Sequence, residues 1–246
     1  MRNAVVTGAS SGIGAATARR LAKEGYRVFC AARRFDRVRA LADEIGGVAL
    51  KCDVTSEQDV NELLWAVGER CDLLVNNAGG AFGLEPVAEA DIEAWRSMYE
   101  VNVLGAARVT KTLLPVLRAC EGTVVFITSV AADGGYELGA GYCGVKAAER
   151  SMAQAMRLEL CGEPIRVCEI VPGLVHTEEF SLTRFGGDQA KADAVYAGVP
   201  GPLVADDIAD CIAFVATRPA HVNIDRLTVR PRAQAAQYKL YRVPAP

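Results

Sequence analysis

A glycine-rich turn near the start of the chain limits the folds available to it. A β-rich run, Asn3–Thr7, leads into Gly8–Gly14, and a helical pattern follows that ends near Gly25. Glycine has no Cβ, so the backbone can turn sharply here and approach a ligand closely. The next helix offers unpaired N–H groups and a positive dipole end to a pyrophosphate. A mere tight strand–helix connection would also explain the turn, but no GK[ST] follows, which argues against a P-loop.

Strands and helices alternate along all 246 residues, without an internal repeat. This order predicts an α/β protein with a doubly wound parallel sheet of about seven strands and one domain spanning 1–246. Residues 174–204 are irregular and charged, and we expect a mobile lid there. The tail, 231–246, lacks a core pattern and is expected to pack on a partner or fray.

Two finer predictions concern helices. Thr55 is expected to cap one helix, with Gln58 as its capping-box partner. A single helical pattern runs over Ala90–Ala119, with Asn102 in its middle. An amide side chain there competes with the backbone, so Asn102 has either a special role or a satisfied polar contact.

Bulk properties exclude several classes of protein. The net charge of −3 predicts no strong field for nucleic acid or an anionic membrane. No apolar run is long enough to span a bilayer. The apolar segment at the start of the chain is too short for a signal peptide, so a cytoplasmic protein is expected. Eight scattered cysteines without a CxxC pair, and only two histidines, favour reduced buried thiols and no metal site.

The pair Tyr142 and Lys146 carries the strongest chemical signal. Positions i and i+4 share one helix face, so a phenol is stacked beside an ammonium. A nearby cation lowers the pKa of a tyrosine and lets it exchange protons with a substrate oxygen. Ser129 ends a strand thirteen residues earlier. Taken without the rest of the chain, the pair would be better explained as a surface Tyr and Lys on an amphipathic helix.

The second strand, Arg27–Ala32, ends in Arg33 and Arg34. In a dinucleotide fold this position meets the adenosine ribose, where an arginine suits a 2′-phosphate and an acid suits a free hydroxyl. The pattern therefore favours NADP over NAD. The alternative is a solvated charge pair at a helix start.

Five predicted strands are each followed by a glycine-rich turn or by a polar or charged side chain. All five strand ends are expected at one edge of the sheet. They carry Gly8–Gly14, Arg33, Asn76–Gly79, Ser129 and Pro172-Gly173. Together these residues resemble the short-chain dehydrogenase/reductase family over nearly the whole chain. The resemblance rests on Thr7–Gly14, Asn76-Asn77-Ala78-Gly79, Asn102, Ser129, Tyr142-x-x-x-Lys146 and Pro172-Gly173. It implies a Rossmann-type fold and hydride transfer between a nicotinamide and an alcohol or carbonyl carbon.

The resemblance also implies a role for each residue. Tyr142 would be the general acid/base, Ser129 would hold the substrate oxygen, and Lys146 would bind the nicotinamide ribose. Asn102 would hold a water of the proton relay. The implied cofactor contacts are Gly8, Ser10, Ser11, Gly12, Ile13, Gly14, Arg33, Arg34, Asp53, Val54, Asn76, Ala78, Gly79, Tyr142, Lys146, Pro172, Gly173, Val175 and Thr177.

The C-terminal half is similar to one branch, the NADP-dependent 3-hydroxy acid dehydrogenases that act on serine or allo-threonine. The similar segments are Val171–Val175, Glu179-Phe180, Arg184-Phe185 and 218–224. The branch implies a homotetramer. A carboxylate substrate needs a cation, and Arg184 is the candidate because a guanidinium grips a carboxylate bidentately; a solvated lid arginine is the alternative.

Two other functions stay open at this point. The enzyme could reduce a bulkier ketone or aldehyde in secondary metabolism, because the lid decides the substrate. A non-catalytic NADP-binding regulator is the second alternative, although such proteins usually lack a catalytic residue. The expected partners are a small-molecule substrate and further copies of the chain, as a tetramer or a dimer.

Overall fold

The computed structural model describes residues 1–243, which form one α/β unit. Its elements follow in the order β1 (Arg2–Thr7), α1 (Gly12–Lys23), β2 (Tyr26–Ala32), α2 (Phe35–Ile45), β3 (Val48–Lys51), α3 (Glu57–Val67), β4 (Leu73–Asn76), α4 (Ile92–Tyr99), α5 (Ala106–Ala119), β5 (Thr123–Ile127), α6 (Ala140–Glu159), β6 (Arg166–Pro172), β7 (Val175–His176), α7 (Phe180–Arg184), α8 (Gln189–Ala194), β8 (Leu203–Val204), α9 (Ala205–Ala216) and β9 (Arg226–Val229).

Seven of the strands form one parallel sheet in the order β3-β2-β1-β4-β5-β6-β9. The predicted doubly wound sheet is therefore confirmed. β1 pairs with β2 on one side and β4 on the other, so the strand order reverses direction beside it. Open α/β sheets bind ligands outside the carboxyl ends of the strands at such a switch point.

Helices cover both faces of the sheet, so a hydrophobic core lies on each side of it. Successive residues of β1 point alternately into the two cores. Ala4 and Val6 pack in a core that includes Leu21 of α1 and Ile208 of α9. Val5 faces the opposite core, built with α3, α5 and α6. Because both faces are buried, the inner strands read as continuous apolar runs. Burial on both sides fixes the register, since a one-residue slip would turn each side chain to the wrong face.

The long helix predicted over Ala90–Ala119 is interrupted. α4 and α5 are joined by a π-helical turn, Glu100–Gly105, with Asn102 inside it. Asn102 Nδ2 donates to Met98 O at 2.8 Å and to Gly80 O at 3.1 Å. The side chain therefore competes for a helix carbonyl, as expected of an amide in a helix, and also binds a loop outside it.

The cap predicted at Thr55 is wrong by one residue. Ser56 caps α3, and its Oγ accepts from Asp59 N at 3.2 Å. Thr55 instead donates to Asp53 Oδ1 at 2.8 Å. Adjacent hydroxyl residues offer the same capping chemistry, so sequence cannot separate them.

The lid and the tail are more ordered than their sequence indicates. The lid holds α7, α8 and the two-stranded pair β7–β8. The described part of the tail folds back on its own chain: Gln234 Oε1 accepts from Leu174 N at 2.8 Å, and Val243 N donates to Gly198 O at 2.7 Å. The expectation that this part frays is therefore wrong, and its packing on a partner stays a prediction; residues 244–246 lie outside the described residues.

All eight cysteines are free thiols. Burial raises the pKa of Cys30, Cys52 and Cys71 to about 12, so these thiols are protonated and unreactive at neutral pH. Over residues 1–243, no helix is both long and apolar enough to cross a membrane.

Candidate active site

Two turns meet at the switch point beside β1. Asn77 Nδ2 donates to Thr7 O at 2.9 Å, and Thr7 Oγ1 accepts from the amides of Asn77 and Ala78 at 3.0 Å. A Cβ on Gly14 would lie 2.3 Å from Gly8 O, and one on Gly8 would lie 2.9 Å from Ala78 Cα. Glycine is required at both positions, because a Cβ would meet backbone atoms of the two turns, which cannot move aside as a flexible side chain could.

The glycine turn fits a bound dinucleotide. Gly12 has a φ of +51°, and a Cβ there would point at Thr177, 3.4 Å away, across the cleft. The cleft has a volume of ≈ 550 Å³ and runs from this turn to Tyr142 and the lid. Its floor is the start of α1, whose unpaired N–H groups suit a pyrophosphate. The glycines thus keep clear the space that a pyrophosphate needs.

A cluster of hydroxyl and guanidinium groups lies at the end of β2. Arg34 Nη2 donates to Ser10 Oγ at 2.8 Å and to Ser11 Oγ at 3.0 Å. Arg34 also grips Glu179 of the lid through Nη1 and Nη2, at 2.7 and 2.6 Å. The Arg34 guanidinium and then Ser11 lower the pKa of Glu179 to about 2, although burial opposes this. These donors are the kind that bind a phosphate monoester.

Ser129, Tyr142 and Lys146 line the cleft at its other end. Ser129 follows β5, and its Oγ accepts from Ala131 N at 3.1 Å. The Nζ atom of Lys146 lies 6.0 Å from the centroid of the Tyr142 ring, so the two side chains share the predicted face of α6. Both side chains are buried, and the strand end that carries Ser129 faces them across the cleft.

Gly79 lies where the Asn102 side chain and Lys146 converge. A Cβ on Gly79 would be 2.4 Å from Asn102 Oδ1 and 3.7 Å from Lys146 Nζ. Asn102 Oδ1 accepts from Gly80 N at 3.2 Å. The π-helical turn therefore holds the loop after β4 close to the lysine.

The lid adds an aromatic and a cationic side chain to the Tyr142 end. The Phe180 ring stands edge-on to Tyr142 with centroids 5.8 Å apart. The guanidinium carbon of Arg184 lies 5.6 Å from the Tyr142 centroid. Arg184 Nε donates to Gly83 O at 3.0 Å, and both Nη atoms lie 3.4 Å from Tyr136 OH. Within residues 1–243, no carboxylate lies within 4.0 Å of this guanidinium.

Most of the predicted site residues line the cleft, and some do not. Those that line it are Gly8, Ser11, Gly12, Ile13, Gly14, Arg33, Arg34, Gly79, Ser129, Tyr142, Lys146, Pro172, Gly173, Val175, Thr177 and Arg184. Ser10, Asp53, Val54, Asn76, Ala78 and Asn102 are not among the lining residues. Ser10 nevertheless accepts a hydrogen bond from Arg34, which lines the cleft. Asn102 hydrogen-bonds to Gly80 and lies against Gly79, and both glycines line the cleft.

Two of the outlying residues have other partners. Asn76 is buried, and its Nδ2 donates to Thr110 Oγ1 of α5 at 2.8 Å. Asp53 Oδ1 accepts from Thr55 N at 3.0 Å, at the start of α3. The Asn76 side chain thus joins β4 to α5, and the Asp53 side chain holds the connection between β3 and α3.

Several cleft residues were missed by the sequence interpretation. Tyr136, Phe180, Gln234 and Gln237 line the cleft, and Glu149 binds Lys146 from beneath it. Only Glu149 left a signal, the i, i+3 spacing from Lys146 that places both on one helix face. The others come from the lid, tail and a loop, and their approach to the site depends on tertiary folding.

The matching family model is that of short chain dehydrogenases, and it covers residues 2–184. The chain belongs to the short-chain dehydrogenase family. It is 56% identical over 236 residues to an uncharacterised oxidoreductase of Mycobacterium tuberculosis, covering 96% of this chain and 93% of the relative. It is 42% identical to the serine 3-dehydrogenase of Agrobacterium fabrum, with 97% of each chain covered.

A solved structure agrees with these relatives. The closed form of a serine dehydrogenase complexed with NADP⁺ superposes with a TM-score of 0.91 at 35% identity, covering 99% of this chain and 100% of the other. The predicted family resemblance is therefore confirmed, and this short-chain dehydrogenase is an oxidoreductase with a Rossmann-type fold.

Proposed function

We propose that this short-chain dehydrogenase interconverts a small 3-hydroxy acid and the corresponding 3-oxo acid with NADP as its cofactor. One observation carries the choice of substrate: Arg184, without a carboxylate partner among the described residues, lies 5.6 Å from the Tyr142 ring. A cation beside the proton-transfer residue suits a substrate that carries a carboxylate close to its hydroxyl.

Arg33 and Arg34 support the choice of NADP. Both line the cleft at the end of β2, where the ribose 2′ position of a dinucleotide lies. Ser10 and Ser11 already accept hydrogen bonds from Arg34. The NADP-bound serine dehydrogenase, similar over its whole length, supports the same cofactor.

When bound, NADP supplies a hydride acceptor or donor at its nicotinamide ring. Tyr142 takes the hydroxyl proton of the substrate during oxidation and returns it during reduction. Ser129 Oγ donates a hydrogen bond to the substrate oxygen and orients it toward the phenol. Lys146, on the same face of α6, places a positive charge beside the Tyr142 ring, where the proton is exchanged. Asn102 fixes the loop of Gly79 and Gly80 beside the lysine.

Arg184 and Tyr136 hold the carboxylate end of the substrate. Burial raises the pKa of Tyr136, although Arg184 opposes the rise, so the phenol keeps its proton at neutral pH. A carboxylate could accept from the guanidinium and from this phenol together. Phe180 closes the apolar side of the cleft and keeps water from the reacting oxygen.

The proposal extends to the setting of the enzyme. As in the sequence expectation, we take it to act in the cytoplasm as a homo-oligomer, either a tetramer or a dimer. Apolar surface for a second copy is offered by the exposed Tyr99 just before the π-helical turn, by Leu104 within that turn and by Leu158 of α6. Size-exclusion chromatography with light scattering would give the number of copies.

A spectrophotometric assay of NADPH formation tests the substrate class. The enzyme is offered NADP⁺ with serine, 3-hydroxypropionate and 3-hydroxybutyrate, and separately with their methyl esters. Turnover of the free acids well above that of the esters is expected. Equal rates would contradict a carboxylate site. Turnover only of bulky ketones with NADPH would favour the second candidate function, and NADPH binding without any turnover would favour a regulator.

A further inference from the structure

A buried carboxylate lies directly behind the lysine of the site. Glu149 Oε2 accepts from Lys146 Nζ at 2.7 Å, and the exposed fractions of the two side chains are 2% and 7%. The distance is typical of a charge-assisted hydrogen bond. Lys146 Nζ also donates to Ile127 O at 3.0 Å. An ammonium has three N–H donors, so one is left for a ligand in the cleft.

Stability alone gives a weak reason for this pair. Taking two charges out of water costs about as much as their attraction returns, so apolar residues of the same size would serve a core equally well. Glu149 is therefore a buried titratable group that the proton transfer at Tyr142 does not itself explain.

We propose that Glu149 is a positioning residue that keeps the Lys146 ammonium charged and directs its remaining N–H toward the cofactor ribose. The carboxylate and Ile127 O fix two of the three donors, which leaves the lysine few alternative rotamers. The proposal rests on the proposed function only in taking NADP as the ligand of the cleft.

The electrostatics agree with this role. Burial by itself would lower the pKa of Lys146, but the Glu149 carboxylate raises it above its usual value. Burial in turn raises the pKa of Glu149, and Lys146 opposes that rise. Without the carboxylate, only the nearby Tyr142 would still act against the burial, so the pKa of Lys146 should fall toward the working range of pH.

The other carboxylates around α6 have partners other than Lys146. Tyr142 is the titratable neighbour of Lys146 on its own helix. On the elements packed against α6, Asp133 pairs with Arg150, Glu169 with Arg150 and Thr128, Glu100 with Arg108, and Glu93 with Arg96. Tyr99 of α4 is exposed. Among the described groups, Glu149 is thus the carboxylate that sets the charge of this lysine.

NADPH affinity, measured by fluorescence titration from pH 6 to pH 9, tests the proposal without any substrate. In Glu149→Gln we expect wild-type affinity at pH 6 and about tenfold weaker binding at pH 9, the loss of about one charge-assisted hydrogen bond. Glu159→Gln, an exposed glutamate of the same helix, is the matched control and should bind as the wild type does.

A second experiment, in the Lys146→Met variant, distinguishes a positioning role of Glu149 from a contribution to packing alone. Adding Glu149→Gln to Lys146→Met should not change NADPH affinity further, since the lysine through which Glu149 acts is gone. This uncharged double variant also decides the matter if Glu149→Gln alone fails to fold. An equal loss of affinity at every pH, a further loss in the Lys146→Met background, or no loss in Glu149→Gln would overturn the proposal. Absent turnover of 3-hydroxy acids would instead contradict only the proposed function.

Discussion

The guanidinium of Arg184 and the ring of Tyr142 lie 5.6 Å apart, although they belong to the lid and to α6. The lid helix α7 brings Arg184 there, and Gly83 fixes it: Arg184 Nε donates to Gly83 O, while Gly83 N donates to Arg184 O at 3.1 Å. The arginine is therefore held in place before any substrate arrives. A preformed cation reduces the ordering cost of binding a carboxylate.

Replacing Arg184 by methionine should lower kcat/KM for 3-hydroxy acids about 10- to 100-fold. A hydrogen bond to a charged group contributes about 1.5–3 kcal/mol, which corresponds to that range. Turnover of a neutral alcohol substrate should change little. Lys191→Met, an exposed cation of the same lid, is the control. A similar loss for acid and neutral substrates would mean that Arg184 supports the lid rather than the carboxylate.

Replacing Arg33 by alanine should weaken NADPH binding about tenfold or more and leave NADH binding almost unchanged. The reason is that only NADPH carries the 2′-phosphate expected at the end of β2. Isothermal titration with each cofactor measures both constants. Arg39, exposed on α2, provides the control as Arg39→Ala. Unaltered NADPH affinity in Arg33→Ala would count against the 2′-phosphate site.

Glu179→Gln should lower stability at neutral pH more than at low pH. The Arg34 guanidinium and Ser11 hold the pKa of Glu179 at about 2, below its unfolded value, despite partial burial. A depressed carboxyl pKa stabilises the fold above the unfolded pKa, and this contribution is lost as pH falls toward 2. Denaturant unfolding at pH 7, 5 and 3 should show the difference between wild type and variant shrinking. A difference that stays constant with pH would contradict the ion pair.

Asn102→Ala should lower the free energy of unfolding by about 2–3 kcal/mol. The substitution leaves Met98 O and both backbone groups of Gly80 without their partner, and an unpaired buried group costs about 1–3 kcal/mol. Asn61→Ala, at an exposed position of α3, is the comparison. Equal stability of the two variants in denaturant unfolding would show that the amide does not hold the loop after β4.

Local chemistry and periodicity were enough to predict the sheet, the glycine turn and the shared face of Tyr142 and Lys146. They could not predict the π-helical turn at Asn102, because the apolar spacing of α4 and α5 continues across it. Nor could they predict Glu179 at Arg34, which lies 145 residues away in the chain. Such contacts depend on how the lid packs, and the lid has no core pattern that fixes it.

The roles of the predicted site residues remain predictions, and Tyr142 tests them most directly. The cleft brings Ser129, Tyr142 and Lys146 together, and phenylalanine at 142 would keep the ring against Phe180 while removing only the hydroxyl. Loss of the general acid/base should cost about 10²–10⁴-fold in rate. The decisive measurement is NADPH formation from NADP⁺ and a 3-hydroxy acid by Tyr142→Phe, beside its NADPH affinity. We expect near-complete loss of turnover with wild-type binding of NADPH, and undiminished turnover would contradict the assignment of Tyr142 as the general acid/base.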